Sequence, residues 1–160
     1  MAKLKYLVIH CSATYEGVDI RPEQIMEWHT GKNGRGWTRA GYSDLITIDG
    51  KLHNLHFAEG TNPNDQIIES SEMTWGVRGI NSESKHVCYV GELDKNKVPK
   101  NTLNDLQCDT LQTYIKHEIL RHPDILVAGH NQFSNKACPS FVVSTYCAQI
   151  GLKMKNVYFN

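Results

Sequence analysis

The chain has 160 residues and a formal net charge of zero, with 17 Lys and Arg against 17 Asp and Glu. A neutral balance argues against a dedicated nucleic-acid-binding protein, which carries a basic excess to neutralise phosphates, and against a polybasic protein of the membrane surface. Hydrophobic residues make up 40% and charged residues 21%, which is typical of a packed globular domain. We therefore expect a single domain over residues 1–160 with neither nucleic-acid nor membrane partners.

The first apolar segment, residues 4–10, is apolar on both faces and predicts a buried strand. It is shorter than the hydrophobic region of a signal peptide, and no small-residue cleavage pattern follows it. No apolar run approaches the roughly 20 residues of a membrane span. The sequence therefore predicts synthesis in the cytoplasm without a signal peptide.

Strand and helix patterns then alternate along the chain. Asp49-Gly50 predicts a hairpin, Thr102 is expected to cap the longest helix, and Pro139 to open the last one. The predicted elements are strands at 4–10, 42–48, 51–56, 86–91 and 125–128, and helices at 22–29, 102–121 and 139–151. This alternation predicts an α/β or α+β fold, in which a mixed sheet of about five strands is flanked by helices.

Residues 57–75 are the least regular part of the sequence and are rich in turn residues between Gly60 and Asp65. Loops of this length inside a domain are usually functional or mobile. We interpret the segment as a long loop insertion that either lines a substrate groove or forms an inert surface loop, with a slight preference for the groove.

Two buried strands each deliver a histidine to their carboxyl end, His10 in the first strand and His130 after residues 125–128. Cys138 follows His130 by eight residues. Ligands gather beyond the carboxyl ends of parallel strands, and catalytic zinc sites use three protein ligands with a fourth position left to water. Taken singly, such residues are more often hydrogen-bonded or packed side chains, so spacing alone favours a zinc site only modestly.

Four segments carry a stronger signal: His10-Cys11-Ser12-Ala13-Thr14; Gly41-Tyr42 with Asp49-Gly50; Gly76-Val77-Arg78-Gly79-Ile80-Asn81 with Cys88-Tyr89-Val90-Gly91; and Gly129-His130 with Lys136-Ala137-Cys138-Pro139-Ser140-Phe141. In this order they resemble the zinc-dependent N-acetylmuramoyl-L-alanine amidases of the amidase-type phage lysozyme family. That family is related in fold to animal peptidoglycan recognition proteins. The resemblance extends from residue 4 to about residue 150.

The resemblance implies one zinc ion per chain, bound by His10, His130 and Cys138, with Tyr42 and Lys136 as the catalytic pair beside it. It implies hydrolysis of the amide bond between N-acetylmuramic acid and L-alanine of the peptidoglycan stem peptide. The protein would then be a phage or prophage lysin that acts on the bacterial cell wall after its release. We also expect it to be a monomer.

The sequence departs from the family pattern around the expected substrate groove. Ser43 stands where the family often has a histidine after Gly-Tyr. A histidine is also common on the loop before the 86–91 strand, where this chain has Trp75-Gly76-Val77. These departures bear on substrate contacts more than on metal binding, and we expect Trp75, Arg78 and Asn81 to contact the substrate.

Cys11 adjoins a proposed ligand, but successive strand residues face opposite sides, so we expect Cys11 to be structural. Five cysteines without a CxxC pattern also argue against a disulfide framework. Two other functions stay open: a non-catalytic peptidoglycan-binding protein on the same fold, and a metal-free cysteine peptidase using Cys138 or Cys11 with a histidine. A recycling amidase is a third, but its third ligand is normally Asp, so Cys138 favours the phage-lysozyme branch.

Overall fold

A five-stranded sheet with helices on both faces forms the centre of the protein. The computed structural model describes residues 1–160. The helices are α1 (Pro22–Thr30), α2 (Asp105–Arg121) and α3 (Val143–Gln149), with 3₁₀ turns at Asn81–Glu83, His130–Gln132 and Met154–Asn156. The strands are β1 (Ala2–Lys3), β2 (Tyr6–Cys11), β3 (Thr14–Tyr15), β4 (Asp44–Ile46), β5 (Leu52–Asn54), β6 (Ile67–Ile68), β7 (Ser84–Tyr89), β8 (Glu92–Leu93) and β9 (Leu126–Gly129).

The central sheet has the strand order β5-β4-β7-β2-β9. β2 runs parallel to β7 and β9, β4 runs parallel to β7, and only β5 is antiparallel to its neighbour. Ile9 of β2 lies beside Gly129 of β9, so the two strands end side by side. This register brings His10 and His130 together, and the predicted mixed sheet flanked by helices is confirmed.

Successive side chains of the buried strands point to opposite faces of the sheet, so the core has two layers. Leu7 and Ile9 face α2 and α3, where Leu111, Ile115 and Val143 complete the larger cluster. Leu45 and other residues of the opposite face pack against α1 in a smaller cluster. Because β2 is buried along its whole length, it fixes the position of His10 from both sides.

The long helix α2 begins later than the sequence predicted. Its cap is Asn104, whose side chain accepts a hydrogen bond from the Gln107 backbone N–H at 2.9 Å, while Gln107 Oε1 accepts one from the Asn104 N–H at 3.2 Å. The prediction of a Thr102 cap is wrong because the Thr102 hydroxyl accepts from the Glu92 N–H instead. Thr102 therefore ties the preceding loop to β8 and leaves capping to Asn104.

Replacing Asn104 by alanine is expected to lower the free energy of unfolding by about 1 kcal/mol, since it removes an accepting side chain at the start of α2. Urea denaturation of the metal-loaded protein measures this. Asn104→Asp keeps the accepting oxygen and is expected to recover most of the loss. An equal loss in Asn104→Asp would assign the stability to the other bond of Asn104, which its amide donates to the Ile48 carbonyl at 2.8 Å.

The last helix also begins later than predicted, at Val143 rather than Pro139. The Pro139 carbonyl accepts a hydrogen bond from the Tyr89 hydroxyl at 2.7 Å, and Ser140 has a left-handed backbone with φ of 69°. A left-handed residue cannot continue an α-helix, so Pro139 belongs to the loop that carries Cys138.

The 57–75 segment folds back over the molecule at the side of α2. Its strand β6 pairs with β1, and Arg121 of α2 donates hydrogen bonds to Pro63 O at 2.8 Å and Asn64 Oδ1 at 3.0 Å. Residues between Phe57 and Glu72 line a cavity of about 370 Å³ together with α2. Ser43 lines the same cavity.

Both edges of the central sheet are short or covered. β5 has three residues, and β9 is flanked by the C-terminal segment, where Val157 bridges to Val127 and the Tyr158 N–H donates to the Val127 carbonyl at 3.0 Å. None of the helices combines the length and the apolar character needed to cross a bilayer.

Candidate active site

A cleft of about 360 Å³ opens at the carboxyl ends of β2 and β9. His10 and His130 line it, and both side chains are buried. Tyr42 and Lys136 line the same cleft. The structure thus brings together residues that are up to 126 positions apart in the sequence.

Three potential metal-binding atoms converge beside the cleft. Nδ1 of His10 lies 3.1 Å from Nδ1 of His130 and 3.8 Å from Sγ of Cys138, and the ligand atoms of all three residues lie within 4.8 Å of one another. A tetrahedral zinc ion bound at its usual ligand distances would separate such atoms by about 3.3–3.6 Å. The observed distances bracket this range, so the donor set fits a zinc ion.

The protonation states of these groups suit metal binding. Burial lowers the pKa of His10, so its ring is neutral near neutral pH. Contact with the Cys11 thiol and, after it, contact with the His10 and His130 rings lower the pKa of Cys138. Contact with Cys138 and, to a smaller extent, burial raise the pKa of Cys11. Cys138 is therefore the thiolate of this pair and Cys11 the neutral thiol.

Backbone contacts hold Cys138 in place. Its Sγ accepts a hydrogen bond from the Cys11 N–H at 3.2 Å, and its carbonyl accepts one from the Asn131 N–H at 2.7 Å. The Tyr89 bond to Pro139 fixes the next residue. The loop after His130 is thereby anchored on both sides of the thiolate, which limits the freedom of this side chain.

Cys11 lies in the core cluster on the α2 side of the sheet, whereas His10 lies on the opposite face. Its sulfur does not belong to the group of three converging ligand atoms. Its thiol instead contacts Cys138. This position agrees with the expectation that Cys11 supports the site without being a ligand.

The rim of the cleft carries the two groups expected to form the catalytic pair. The Tyr42 ring lies 5.1 Å from the His10 ring, measured between centroids. Burial raises the pKa of Tyr42, so its phenol stays protonated and can donate a hydrogen bond. Lys136 is exposed on the loop two residues before Cys138 and presents its ammonium at the cleft.

Of the three expected substrate contacts, two line the cleft and one does not. Trp75 and Arg78 are cleft residues. Asn81 points inward: its Oδ1 accepts a hydrogen bond from the Val77 N–H at 2.8 Å and lies 3.1 Å from Nε2 of His86. Asn81 therefore supports the floor of the site. Trp75 is also the only residue of the 57–75 segment that reaches the cleft, so this segment does not form its wall.

Sequence reasoning missed two buried histidines. His86 contacts His10 directly, with 3.0 Å between its Nδ1 and His10 Nε2. His29 of α1 lines the cleft, accepts a hydrogen bond from the Gly41 N–H and stacks on Trp37. The sequence did contain one signal for His86. The strand register pairs Cys88 with His10, and His86 lies two residues before Cys88, so its side chain is on the same face of the sheet as His10.

Comparisons with known proteins agree with this arrangement. No family model matches the chain. The endolysin of Enterobacteria phage K11 is 31% identical over 134 residues, which cover 83% of this chain and 78% of the relative. The chain belongs to the phage endolysin family. The endolysin of Klebsiella phage KP32 is 29% identical over 135 residues, which cover 84% of this chain and 80% of that relative.

Solved structures place this endolysin in a wider fold group. The Ph2119 endolysin of a Thermus scotoductus bacteriophage matches with a TM-score of 0.70 and 22% identity, over 96% of this chain and 87% of that chain. The N-acetylmuramoyl-L-alanine amidase LysC of Clostridium intestinale matches at 0.67 and 18%, over 95% and 88%. Drosophila PGRP-LB matches at 0.67 and 17%, over 100% and 86%. The endolysin therefore shares the fold of amidases and peptidoglycan recognition proteins, as the sequence motifs predicted.

Proposed function

We propose that this endolysin is a zinc-dependent N-acetylmuramoyl-L-alanine amidase, which hydrolyses the amide bond between N-acetylmuramic acid and L-alanine in peptidoglycan. The observation that carries the proposal is the convergence of His10 Nδ1, His130 Nδ1 and Cys138 Sγ beside an open cleft. Amidases among the proteins that share this fold support the choice of bond. Two imidazoles and a thiolate bind zinc in preference to harder cations such as magnesium or calcium.

The three ligands would hold one zinc ion beside the cleft. When bound, zinc supplies a Lewis acid that polarises the scissile carbonyl and makes water a nucleophile near neutral pH. His10 stays neutral because it is buried, and Cys138 would contribute the negative charge that partly neutralises a divalent ion.

Lys136 and Tyr42 act on the reacting amide from the rim of the cleft. The Lys136 ammonium offers a positive charge and hydrogen bonds to the oxyanion of the tetrahedral transition state. The protonated Tyr42 phenol donates a hydrogen bond to the attacking water or helps to move a proton to the leaving amine of L-alanine. Neither group needs to touch the metal to perform these roles.

The remaining cleft residues fit a glycan-linked peptide. Trp37 and Trp75 offer aromatic surfaces for a sugar ring, and each ring is contacted by an arginine, Arg35 over Trp37 and Arg39 over Trp75. Arg35 and Arg78 line the cleft with cationic groups that suit the carboxylates of a stem peptide. The protein would act as a monomer on the bacterial cell wall after synthesis in the cytoplasm.

The test combines metal analysis with product analysis. The purified protein is expected to contain one zinc per chain, to release free L-alanine amino termini from purified peptidoglycan, and to lose this activity with a chelator and regain it with zinc. Binding to peptidoglycan without any hydrolysis would indicate the non-catalytic binding protein. Hydrolysis that resists the chelator but stops on thiol alkylation would indicate the cysteine peptidase.

Removing zinc is expected to lower the melting temperature. Ligands that bind only the folded state stabilise it by about 2.7 kcal/mol at a free concentration one hundred times the Kd. For a chain of this size, that corresponds to a shift of about 5–10 °C. Differential scanning calorimetry of metal-free and zinc-loaded protein measures the shift, and coincident transitions would contradict a tight site.

Cys11→Ser is expected to keep both zinc and activity. Serine preserves a hydroxyl donor near Cys138, and the Cys11 backbone N–H that donates to Cys138 Sγ is unchanged. Zinc content and amide hydrolysis are measured beside the wild type. Loss of zinc in Cys11→Ser would mean that the Cys11 sulfur is itself a ligand.

A further inference from the structure

A chain of three side chains extends from the metal-binding group into the protein. His10 Nε2 lies 3.0 Å from His86 Nδ1, and His86 Nε2 lies 3.1 Å from Asn81 Oδ1. None of these contacts faces the cleft, since His86 and Asn81 are not among its lining residues. The His10 nitrogen that contacts His86 is also not the one that faces His130 and Cys138.

The direction of the hydrogen bonds is fixed at the Asn81 end. The Val77 backbone N–H donates to Asn81 Oδ1 at 2.8 Å, which requires an accepting oxygen at that position. His86 Nε2 faces the same oxygen and must therefore donate to it. A neutral His86 with its proton on Nε2 has a free lone pair on Nδ1.

The same logic fixes the tautomer of His10. Because His86 Nδ1 is an acceptor, His10 must donate to it from Nε2. A neutral His10 with its proton on Nε2 leaves the lone pair of Nδ1 free, and that atom faces His130 and Cys138. The chain of hydrogen bonds thus presents the nitrogen that a metal ion needs.

Packing holds the His86 ring in this position. His86 is completely buried and His10 is 1% exposed, so water cannot replace the contact between them. Strand pairing places His86 beside Val8 on the His10 face of the sheet. A Cβ atom at Gly76 would collide with the His86 ring, so the ring occupies space that only glycine leaves open.

We propose that His86, oriented by Asn81, is a positioning residue that sets the tautomer and ring orientation of His10 for metal binding. Partners of this kind orient metal ligands, and their loss typically weakens metal affinity about 10- to 100-fold. The inference deepens the proposed function and rests on it for the identity of the metal. The tautomer itself is a property of the metal-free protein.

The first experiment compares His86→Leu with His86→Asn, two side chains of similar shape. Leucine removes the acceptor, whereas the Asn carbonyl places one near the former Nδ1 position. We expect the zinc Kd, measured by chelator competition, to rise about 10- to 100-fold in His86→Leu and to stay within a few-fold of wild type in His86→Asn. Equal Kd values in all three proteins, or equal weakening in both variants, would overturn the proposal.

The second experiment uses only the wild-type chain, so it does not depend on the folding of a variant. Long-range ¹⁵N–¹H spectra of the metal-free protein distinguish the two imidazole tautomers. We expect His10 and His86 both to carry their proton on Nε2. A proton on Nδ1 of His10 would overturn the proposal. Failure of the wild type to bind zinc would contradict the proposed function instead, and leave this measurement valid.

Discussion

Cys138→Ala is expected to contain no zinc and to show no detectable amide hydrolysis. Cys138 supplies the only negative charge among the three converging side chains, since both histidines are buried and His10 is neutral. Two imidazoles alone leave the divalent charge unbalanced in a buried site. Zinc content after dialysis and release of L-alanine amino termini measure the two effects.

A matched control separates loss of the ligand from loss of a buried thiol. Cys147 lies on α3, is fully buried and is not one of the converging ligands. Cys147→Ala is expected to lose some stability but to keep zinc and activity. A full zinc equivalent in Cys138→Ala would disprove the assignment of this ligand, and circular dichroism establishes that each variant is folded.

Lys136→Ala and Tyr42→Phe are expected to keep zinc and to reduce kcat about 100- to 1,000-fold each. For Lys136 this is the usual cost of losing a single donor to an oxyanion, and for Tyr42 it lies within the usual contribution of a proton-transfer group. The reason is that both groups line the cleft without belonging to the converging ligands. Zinc content, sedimentation with insoluble peptidoglycan and turnover are measured on the same preparations. Only the turnover is expected to change strongly.

Residues of the same type outside the cleft provide the controls. Lys116 is exposed on α2 and Tyr15 is 39% exposed, and neither lines the cleft. Lys116→Ala and Tyr15→Phe are expected to behave as the wild type. Near wild-type turnover in both Lys136→Ala and Tyr42→Phe would leave the metal as the sole catalyst and contradict the roles proposed for the pair.

The parts of the site that the sequence predicted depend on local signals. β2 and β9 are short apolar runs with a histidine at or directly after their carboxyl end, and parallel strands place their carboxyl ends at one edge. His10 and His130 could therefore be placed together without a structure. Cys138 follows His130 by only eight residues, so the loop between them keeps Cys138 close to His130.

Other features depend on long-range pairing that a single sequence does not contain. His86 is recognisable as a partner of His10 only when the register between β2 and β7 is known. Asn81 looked like a loop residue beside the substrate, yet its contact with the Val77 N–H turns it inward. In both cases the side chain's role is decided by a neighbour on another segment.

The helix starts show a different limit. Thr102 and Asn104 are both good capping residues, and the choice depends on whether a competing donor, the Glu92 N–H, takes the Thr102 hydroxyl. Pro139 is a good first helical residue, but the Tyr89 hydroxyl binds its carbonyl and the left-handed Ser140 follows. The local sequence therefore identifies residues that are suitable for a helix start, but it does not show which of them form hydrogen bonds with other segments instead.

The covered edge of β9 has a consequence for the protein in concentrated solution. The Val127 carbonyl would otherwise face outward, but it accepts a hydrogen bond from the Tyr158 N–H, and the opposite edge strand is only three residues long. Exposed strand edges are templates for intermolecular pairing and aggregation. The segment around Tyr158 thus limits self-association through this edge of the sheet.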